Sequence, residues 1–169
     1  CGIIGIQNNS EAAKLAYMGL YAQQHRGQEG AGVVSSDGTV LHRHMGEGLV
    51  ADVFSDSAVF DSLIGDSAIG HVRYSTTGNS DPKNVGPLTF NMGDYSLSIA
   101  HNGNLVNLDE IRKELQENGT LFQTSTDTEI IIHLLAREKG ATLADKLEKV
   151  LQKIEGAYSL ILLSPSEII

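Results

Sequence analysis

Hydrophobic and polar positions along the chain predict a mixture of short strands and amphipathic helices. Apolar runs at 2–6, at about 68–74, at 96–100 and at 158–163 are typical of buried strands. The runs 33–35 and 40–42 flank Ser-Asp-Gly-Thr at 36–39, which predicts a β-hairpin. Residues 77–87 contain Gly, Asn, Asp and two prolines, a composition that predicts a loop.

Helix signals fill most of the remaining chain. One helix is expected from Ser10, as its cap, to about Gln24, and another over 49–64. Three later helices each begin with a capping pair, namely Asn107 with Glu110, Thr126 with Glu129, and Thr142 with Asp145. The order of elements lacks the regular βαβ alternation of a parallel sheet. The pattern therefore predicts an α+β domain in which two antiparallel sheets pack together, with helices outside.

Composition and charge narrow the class of protein. The 169 residues are 41% hydrophobic and 20% charged, as in an ordinary globular domain. A formal net charge of −9, with scattered Lys and Arg, argues against nucleic acid and anionic membranes as partners. No apolar run approaches the roughly 20 residues that span a bilayer, and the start lacks the charged segment of a signal peptide. One cysteine excludes an internal disulfide, which favours a cytoplasmic protein.

The single cysteine is residue 1. An isolated cysteine is usually a small buried hydrophobe, but here it also carries an α-amino group. Such an amine has a reference pKa of about 7.7–8.0 and lies within reach of its own thiol. It can therefore act as the general base that activates a nucleophilic sulfur. Gly2 is expected to leave room beside Cys1 for a substrate.

Arg73 and Asp127 have both a structural and a functional interpretation. Arg73 ends an apolar strand, where it can form an ion pair or hold a substrate carboxylate with its planar guanidinium. Asp127 follows the Thr126 cap, where it can favour the helix dipole or bind a substrate ammonium. Together, a carboxylate ligand and an ammonium ligand would match the head of an α-amino acid.

Asn102-Gly103 lies between two apolar runs. This dipeptide is typical of a tight hairpin turn, but it can also present a side-chain and a backbone N–H to one oxyanion. The histidines at 25, 71, 101 and 133 have no compact metal-ligand spacing, so no metal site is predicted.

Five segments, in this order and spacing, resemble the class II glutamine amidotransferases, whose nucleophile is the N-terminal residue. They are Cys-Gly-Ile-Ile-Gly at 1–5, His-Arg-Gly-Gln-Glu-Gly-Ala-Gly at 25–32, Gly-His-Val-Arg-Tyr-Ser-Thr at 70–76, His-Asn-Gly-Asn at 101–104 and Thr-Ser-Thr-Asp-Thr-Glu at 124–129. The similarity runs from residue 1 to about 163. The segment Arg-Gly-Gln-Glu-Gly-Ala-Gly at 26–32 is similar to the corresponding segment of the amidophosphoribosyltransferase branch. Glucosamine-6-phosphate synthases typically have Arg-Gly-Tyr-Asp-Ser-Ala-Gly at this segment, and they have Trp at the position of Tyr74.

The resemblance implies a four-layer αββα sandwich of the N-terminal-nucleophile hydrolase type. It also implies that Cys1 attacks the glutamine side-chain amide, that Asn102 and Gly103 stabilise the oxyanion, and that water then releases glutamate. The implied substrate-binding residues are Arg73 for the carboxylate, Asp127 for the ammonium, and Arg26, Tyr74, Ser75 and Thr76 around the nucleophile.

The same resemblance implies that this glutaminase domain, residues 1–169, is followed by a phosphoribosyltransferase domain. Two isoleucines at 168–169, expected to be exposed directly after the last core strand, also suggest that the chain continues. Phosphoribosyl pyrophosphate, Mg²⁺ and, as in some relatives, an iron–sulfur cluster would belong to that domain, and the full-length protein is expected to be a homo-oligomer. No cofactor is predicted for the present segment.

The sequence alone leaves two alternatives open. One is the glutaminase domain of a glucosamine-6-phosphate synthase-like enzyme, against which the segment at 26–32 and Tyr74 argue. The other is a glutamine-binding module without catalytic activity, against which Cys1 and Asn102-Gly103 argue.

Overall fold

The structure is a computed structural model that describes residues 1–74 and 81–169. The chain forms two compact units, one of residues Cys1–Asn102 with Leu160–Ile169 and one of residues Gly103–Ser159. Strands β6 (Ser96–Leu105) and β7 (Gly156–Leu163) each contribute residues to both units.

A four-stranded antiparallel sheet forms the centre of the first unit. Its strand order is β1-β4-β2-β3, from β1 (Gly2–Ile6), β4 (Ser67–Arg73), β2 (Gly30–Ser36) and β3 (Leu41–Glu47). The predicted hairpin is confirmed, since β2 and β3 pair antiparallel with Ser36 opposite Leu41. Every residue of β2 is buried, because this strand is central and the sheet is covered on both faces.

Helices cover one face of this sheet. They are α1 (Ala12–Ala22), α2 (Val50–Val53) and α3 (Val59–Ser62). Small residues of α1, such as Ala12 and Ala16, lie in one core cluster with Ala31 and Val33 of β2. Their small size allows the helix to approach the sheet closely.

The second sheet packs on the opposite face. Its strand order is β5-β6-β7, with β5 (Leu88–Asn91) antiparallel to β6. Val34 and Ile69 of the first sheet form a buried cluster with Ala100 of β6 and Leu163 of β7. The first unit therefore contains a helix layer and two face-to-face sheets.

The second unit contains three helices. These are α4 (Leu108–Glu117), α5 (Asp127–Arg137) and α6 (Leu143–Leu151). Only α6 begins with the predicted capping box, formed by Thr142 and Asp145. Asn107 and Thr126 do precede α4 and α5, but neither side chain caps its helix.

The predicted α+β class with two antiparallel sheets and helices is confirmed, whereas several local expectations are wrong. Glu11, not Ser10, precedes α1, and Asn9 Oδ1 accepts from the Glu11 N–H at 2.8 Å. The single helix expected over 49–64 is two short helices, although its apolar residues do reach the core. Strand β5 was not predicted. Ile168 packs on the inter-sheet cluster and pairs with Leu163, so it is not the exposed residue expected at that position.

Within the described residues, no helix has the length and apolar character needed to cross a membrane.

Candidate active site

Strand register brings three chain segments together at one end of the first sheet. Gly2 pairs with Val72, and Gly30 pairs with Arg73. The start of β1, the end of β4 and the start of β2 therefore meet, with Cys1, Tyr74 and Glu29 immediately outside the paired residues. Gly27 is needed in this arrangement, because a Cβ there would lie 2.5 Å from the Arg73 carbonyl oxygen.

The Cys1 thiol lies between the two backbone polar groups of Tyr74. The Tyr74 N–H donates to Sγ at 3.4 Å, and Sγ donates to the Tyr74 carbonyl at 3.5 Å. The Tyr74 side chain itself is 61% exposed. Tyr74 thus contributes to the site through its backbone, whose N–H can stabilise a thiolate.

Two side chains hold the Cys1 carbonyl oxygen. Arg26 Nε donates to it at 2.9 Å from a 3₁₀ turn at Gln24–Arg26. With the Asn102 amide oriented to match its neighbours, its nitrogen donates to the same oxygen at 3.2 Å, and its oxygen accepts from Arg26 Nη2 at 3.2 Å. Residues 26 and 102, far apart in sequence, therefore fix the position of Cys1.

The Cys1 α-amino group is electrostatically suited to accept a proton. Burial lowers the pKa of this group below its ordinary value of 8.0, and the Arg26 guanidinium lowers it further, whereas the Glu29 carboxylate raises it. A lowered pKa increases the fraction of neutral amine near pH 7, which is the form that can take the thiol proton.

Arg73 has two neighbours that the sequence did not indicate. Its Nη1 donates to the Asn84 carbonyl at 2.7 Å, and its Nε lies 3.5 Å from Glu29 Oε2. The ion-pair interpretation of Arg73 is therefore confirmed. Its role in binding a substrate carboxylate stays a prediction.

His71 lies two residues before Arg73 on β4 and is buried. Burial, with smaller contributions from the positive charges of the N-terminus, His101 and Arg73, lowers the pKa of His71 to about 3. The imidazole is therefore neutral at physiological pH and adds no charge next to the nucleophile.

Gly103 and Asp127 belong to the second unit. Gly103 lies within β6 with φ +150°, and a Cβ at this position would lie 2.2 Å from the Ala157 carbonyl oxygen. The hairpin interpretation of Asn102-Gly103 is therefore wrong, since both residues are in a strand. Asp127 is the first residue of α5 and is half-buried.

The structure brings Cys1, Arg26, Arg73, Tyr74 and Asn102 together within the first unit. Ser75 and Thr76 lie outside the described residues. Gly2 does not leave room for a substrate, because a Cβ there would lie 2.6 Å from Gln23 Oε1 and 2.9 Å from a Val72 methyl carbon. Sequence reasoning missed Glu29 and Asn84. An acidic residue in the same segment as Arg26 could have indicated Glu29, whereas nothing marked Asn84.

In the part of the chain that the structure describes, no three His, Cys, Asp or Glu residues form a group that could hold a metal ion.

Comparisons with known proteins identify the family of this chain. A family model described as a glutamine amidotransferase domain matches residues 71–168. The chain is 47% identical to amidophosphoribosyltransferase 2, chloroplastic, of Arabidopsis thaliana over its full length, and it covers 30% of that protein. It is 40% identical to an amidophosphoribosyltransferase of Lacticaseibacillus casei, covering 97% of this chain and 84% of that sequence.

A solved structure supports the same relationship. The glutamine phosphoribosylpyrophosphate amidotransferase of Bacillus subtilis, complexed with ADP and GMP, superimposes with a TM-score of 0.92 at 43% identity. That match covers 99% of this chain and 36% of the B. subtilis chain. The present chain thus spans about a third of the length of the Arabidopsis and Bacillus proteins.

Proposed function

Because the chain belongs to the glutamine amidotransferases, and among them to the amidophosphoribosyltransferase family, we propose that it hydrolyses the side-chain amide of glutamine through a thioester on Cys1. The observation that carries this proposal is the arrangement of groups around the thiol, the carbonyl and the amine of Cys1. Its thiol is flanked by the Tyr74 backbone, its carbonyl is held by Arg26 and Asn102, and burial lowers the pKa of its amine.

The proposed chemistry begins with proton transfer from the Cys1 thiol to the α-amine, directly or through one water. The thiolate attacks the amide carbon, and the resulting oxyanion accepts hydrogen bonds from the Asn102 side chain and the Gly103 N–H. The C–N bond then breaks as the α-ammonium returns its proton to the leaving nitrogen, which gives ammonia and a thioester. Water attacks the thioester, which releases glutamate and restores the thiol.

Substrate recognition is assigned to the two charged residues that the sequence indicated. Arg73 binds the α-carboxylate of glutamine, and Asp127 binds its ammonium group. Arg26, Tyr74, Ser75 and Thr76 complete the surroundings of the nucleophile. A free α-amino group on Cys1 is necessary, so any residue that precedes Cys1 in the initial translation product must be removed.

The whole protein is proposed to pass this ammonia to phosphoribosyl pyrophosphate, making phosphoribosylamine in the first step of purine synthesis. A further phosphoribosyltransferase domain would bind that substrate with Mg²⁺ and would carry any iron–sulfur cluster, since one cysteine cannot supply the usual four thiolates. The working enzyme is proposed to be a homo-oligomer in the cytoplasm, with neither nucleic acid nor membrane as a partner.

The test is glutamine hydrolysis by the purified chain, with Cys1 shown by intact mass to be its first residue. The chain should release glutamate and ammonia in equal amounts, and Cys1→Ala should reduce the rate to background. One uncleavable residue before Cys1 should do the same, because an amide nitrogen cannot accept a proton at neutral pH.

The control for the extended variant is alkylation of its thiol by iodoacetamide. Because the chain has a single cysteine, modification reports on Cys1 alone, and it should still occur slowly. Full glutaminase activity in the extended variant would show that the amine is not the base. Glutamine binding without turnover in the unextended chain would instead identify a catalytically silent module.

A further inference from the structure

Glu29 is an acidic residue at the nucleophile that the proposed chemistry does not use. It directly precedes β2, and its backbone N–H donates to the Arg73 carbonyl at 3.2 Å. Its own carbonyl accepts from the Gly48 N–H at 3.0 Å. These two bonds fix the backbone of Glu29 between the end of β4 and the segment after β3, so the direction of its side chain is set by the sheet.

The side chain of Glu29 points to Arg73. Glu29 Oε2 and Arg73 Nε are both buried atoms, and they form an ion pair at 3.5 Å without a hydrogen bond between them. Arg73 is only 12% exposed in its side chain, and its Nη1 is bound to the Asn84 carbonyl. The ion pair with Glu29 and the hydrogen bond to Asn84 thus restrain the guanidinium at Nε and at Nη1.

The charge of Glu29 also acts on Cys1. Several elements contribute titratable or charged groups near the α-amino group. They are Arg26 from the 3₁₀ turn, Glu29, His71 and Arg73 from β4, and His101 of β6, which lies beside His71. Two of these are permanent cations, and His71 is neutral. Arg26 lowers the pKa of the amine, and Glu29 raises it.

We propose that Glu29 is a positioning residue of the glutaminase site, which orients the Arg73 guanidinium toward the α-carboxylate of the substrate and offsets the positive charge around the Cys1 amine. This inference rests on the proposed function. A guanidinium restrained by this ion pair and this hydrogen bond keeps one orientation, which suits recognition of a substrate carboxylate better than a rotating guanidinium does. The negative charge also opposes the Arg26 guanidinium, which lowers the pKa of the amine, and so keeps the amine basic enough to accept a proton.

The first experiment compares two substrates in Glu29→Gln. Glutamine carries the α-carboxylate, and 4-aminobutanamide has the same amide and amine without it. Glutamine kcat/KM should fall about tenfold, mostly through KM, because an incorrectly oriented Arg73 binds the carboxylate poorly. The value for 4-aminobutanamide should change by less than about twofold. A general loss of folding would lower both equally.

The second experiment measures the titration of the Cys1 amine and does not depend on catalytic activity. A chain labelled with ¹³C-cysteine gives one Cα signal, because Cys1 is the single cysteine, and this signal can be titrated by NMR. Since Glu29 raises the pKa of the amine, Glu29→Gln should move the titration midpoint to lower pH. The acid limb of glutamine kcat/KM should move in the same direction, because the amine must be neutral to act as base.

Glu29→Asp and Glu47→Gln serve as the matched variants. Glu29→Asp keeps the charge but shortens the side chain, so the titration midpoint should stay near that of the unmodified chain while glutamine KM rises. Glu47 is an exposed acid at the end of β3, and Glu47→Gln should change neither quantity. An unchanged midpoint together with equal losses for both substrates in Glu29→Gln would overturn the proposal. Because the NMR titration needs no turnover, it would test Glu29 even if the unmodified chain had no glutaminase activity.

Discussion

At the scale of single residues, the nucleophile is held mainly through its backbone. Arg26 and Asn102 bind the carbonyl oxygen of Cys1, and the thiol contacts the backbone of Tyr74. An Asn amide has two N–H donors, so Asn102 can hold the Cys1 carbonyl with one and offer the other to an oxyanion. One side chain can then position the nucleophile and stabilise the transition state.

This double role predicts a specific defect in Asn102→Ala. Turnover of glutamine should fall by roughly 10²–10³, while KM changes less, because an oxyanion donor acts mainly in the transition state. Steady-state kinetics of glutamate release would measure the two parameters. Asn91→Ala, at an exposed position of β5, should leave both unchanged. A normal kcat in Asn102→Ala would limit Asn102 to a structural role.

At the scale of elements, the start of α5 shows how a buried acid can hold a loop in place. Glu129 is 1% exposed, and its two carboxylate oxygens accept from the Gln123 N–H at 2.8 Å and from the Thr124 N–H and hydroxyl at 2.6 and 2.7 Å. The expected capping pair of Thr126 with Glu129 does not form, because Glu129 binds residues earlier in the chain. These contacts fix the loop that leads to Asp127.

Glu129→Gln should lower the free energy of unfolding by about 1–3 kcal/mol at pH 7, because an amide cannot accept all three hydrogen bonds. Burial opposes ionisation of Glu129, but the hydrogen bonds from Gln123 and Thr124 outweigh it and lower the pKa of this carboxyl below 4.5. The stabilisation is therefore present above about pH 4.5 and is lost as the pH falls through the lower pKa of the folded state.

Urea unfolding at neutral and acidic pH would measure this difference. Glu117→Gln is the control, since Glu117 is 66% exposed and lies 3.9 Å from Lys113. That change should alter stability by less than about 0.5 kcal/mol. A Glu129→Gln chain as stable as the unmodified one would contradict the assigned role.

At the scale of the whole molecule, the chain contains one part of the chemistry proposed for the full protein. The site residues assigned here all serve glutamine hydrolysis. The chain covers 36% of the B. subtilis amidotransferase. We therefore propose that synthesis of phosphoribosylamine belongs to sequence outside these residues.

The isolated chain should hydrolyse glutamine but release no pyrophosphate from phosphoribosyl pyrophosphate and Mg²⁺, with either glutamine or ammonium as nitrogen source. A coupled pyrophosphate assay would measure this, and glutamate release in the same sample would show that the chain is active. Ammonium-dependent pyrophosphate release from the chain alone would contradict this division of activities.

The sequence by itself determined the family, the fold class and most of the proposed site. Cys1, Arg73, Asn102 and Asp127 each lie in a short local motif, and such motifs can be read without knowing which strands are neighbours. Segments such as 2–6 and 33–35 are strongly apolar, so their strands were predicted correctly.

Only the tertiary structure decided which atoms meet. Alternation of apolar and polar residues identifies the buried face of a strand, but it does not identify the neighbouring strand or the pairing register. A shift of one residue in the pairing of β2 with β4 would separate Glu29 from Arg73. The same limit explains Asn84, whose carbonyl oxygen accepts from Arg73 although the two residues are 11 positions apart in the sequence. The caps of α1 and α5 were wrong because the side chains there have other partners: Asn9 Oδ1 accepts from the Glu11 N–H, and the Glu129 carboxylate binds Gln123 and Thr124. Strand register and the choice of side-chain partners depend on the packing of the whole chain, so a short segment of sequence does not specify them.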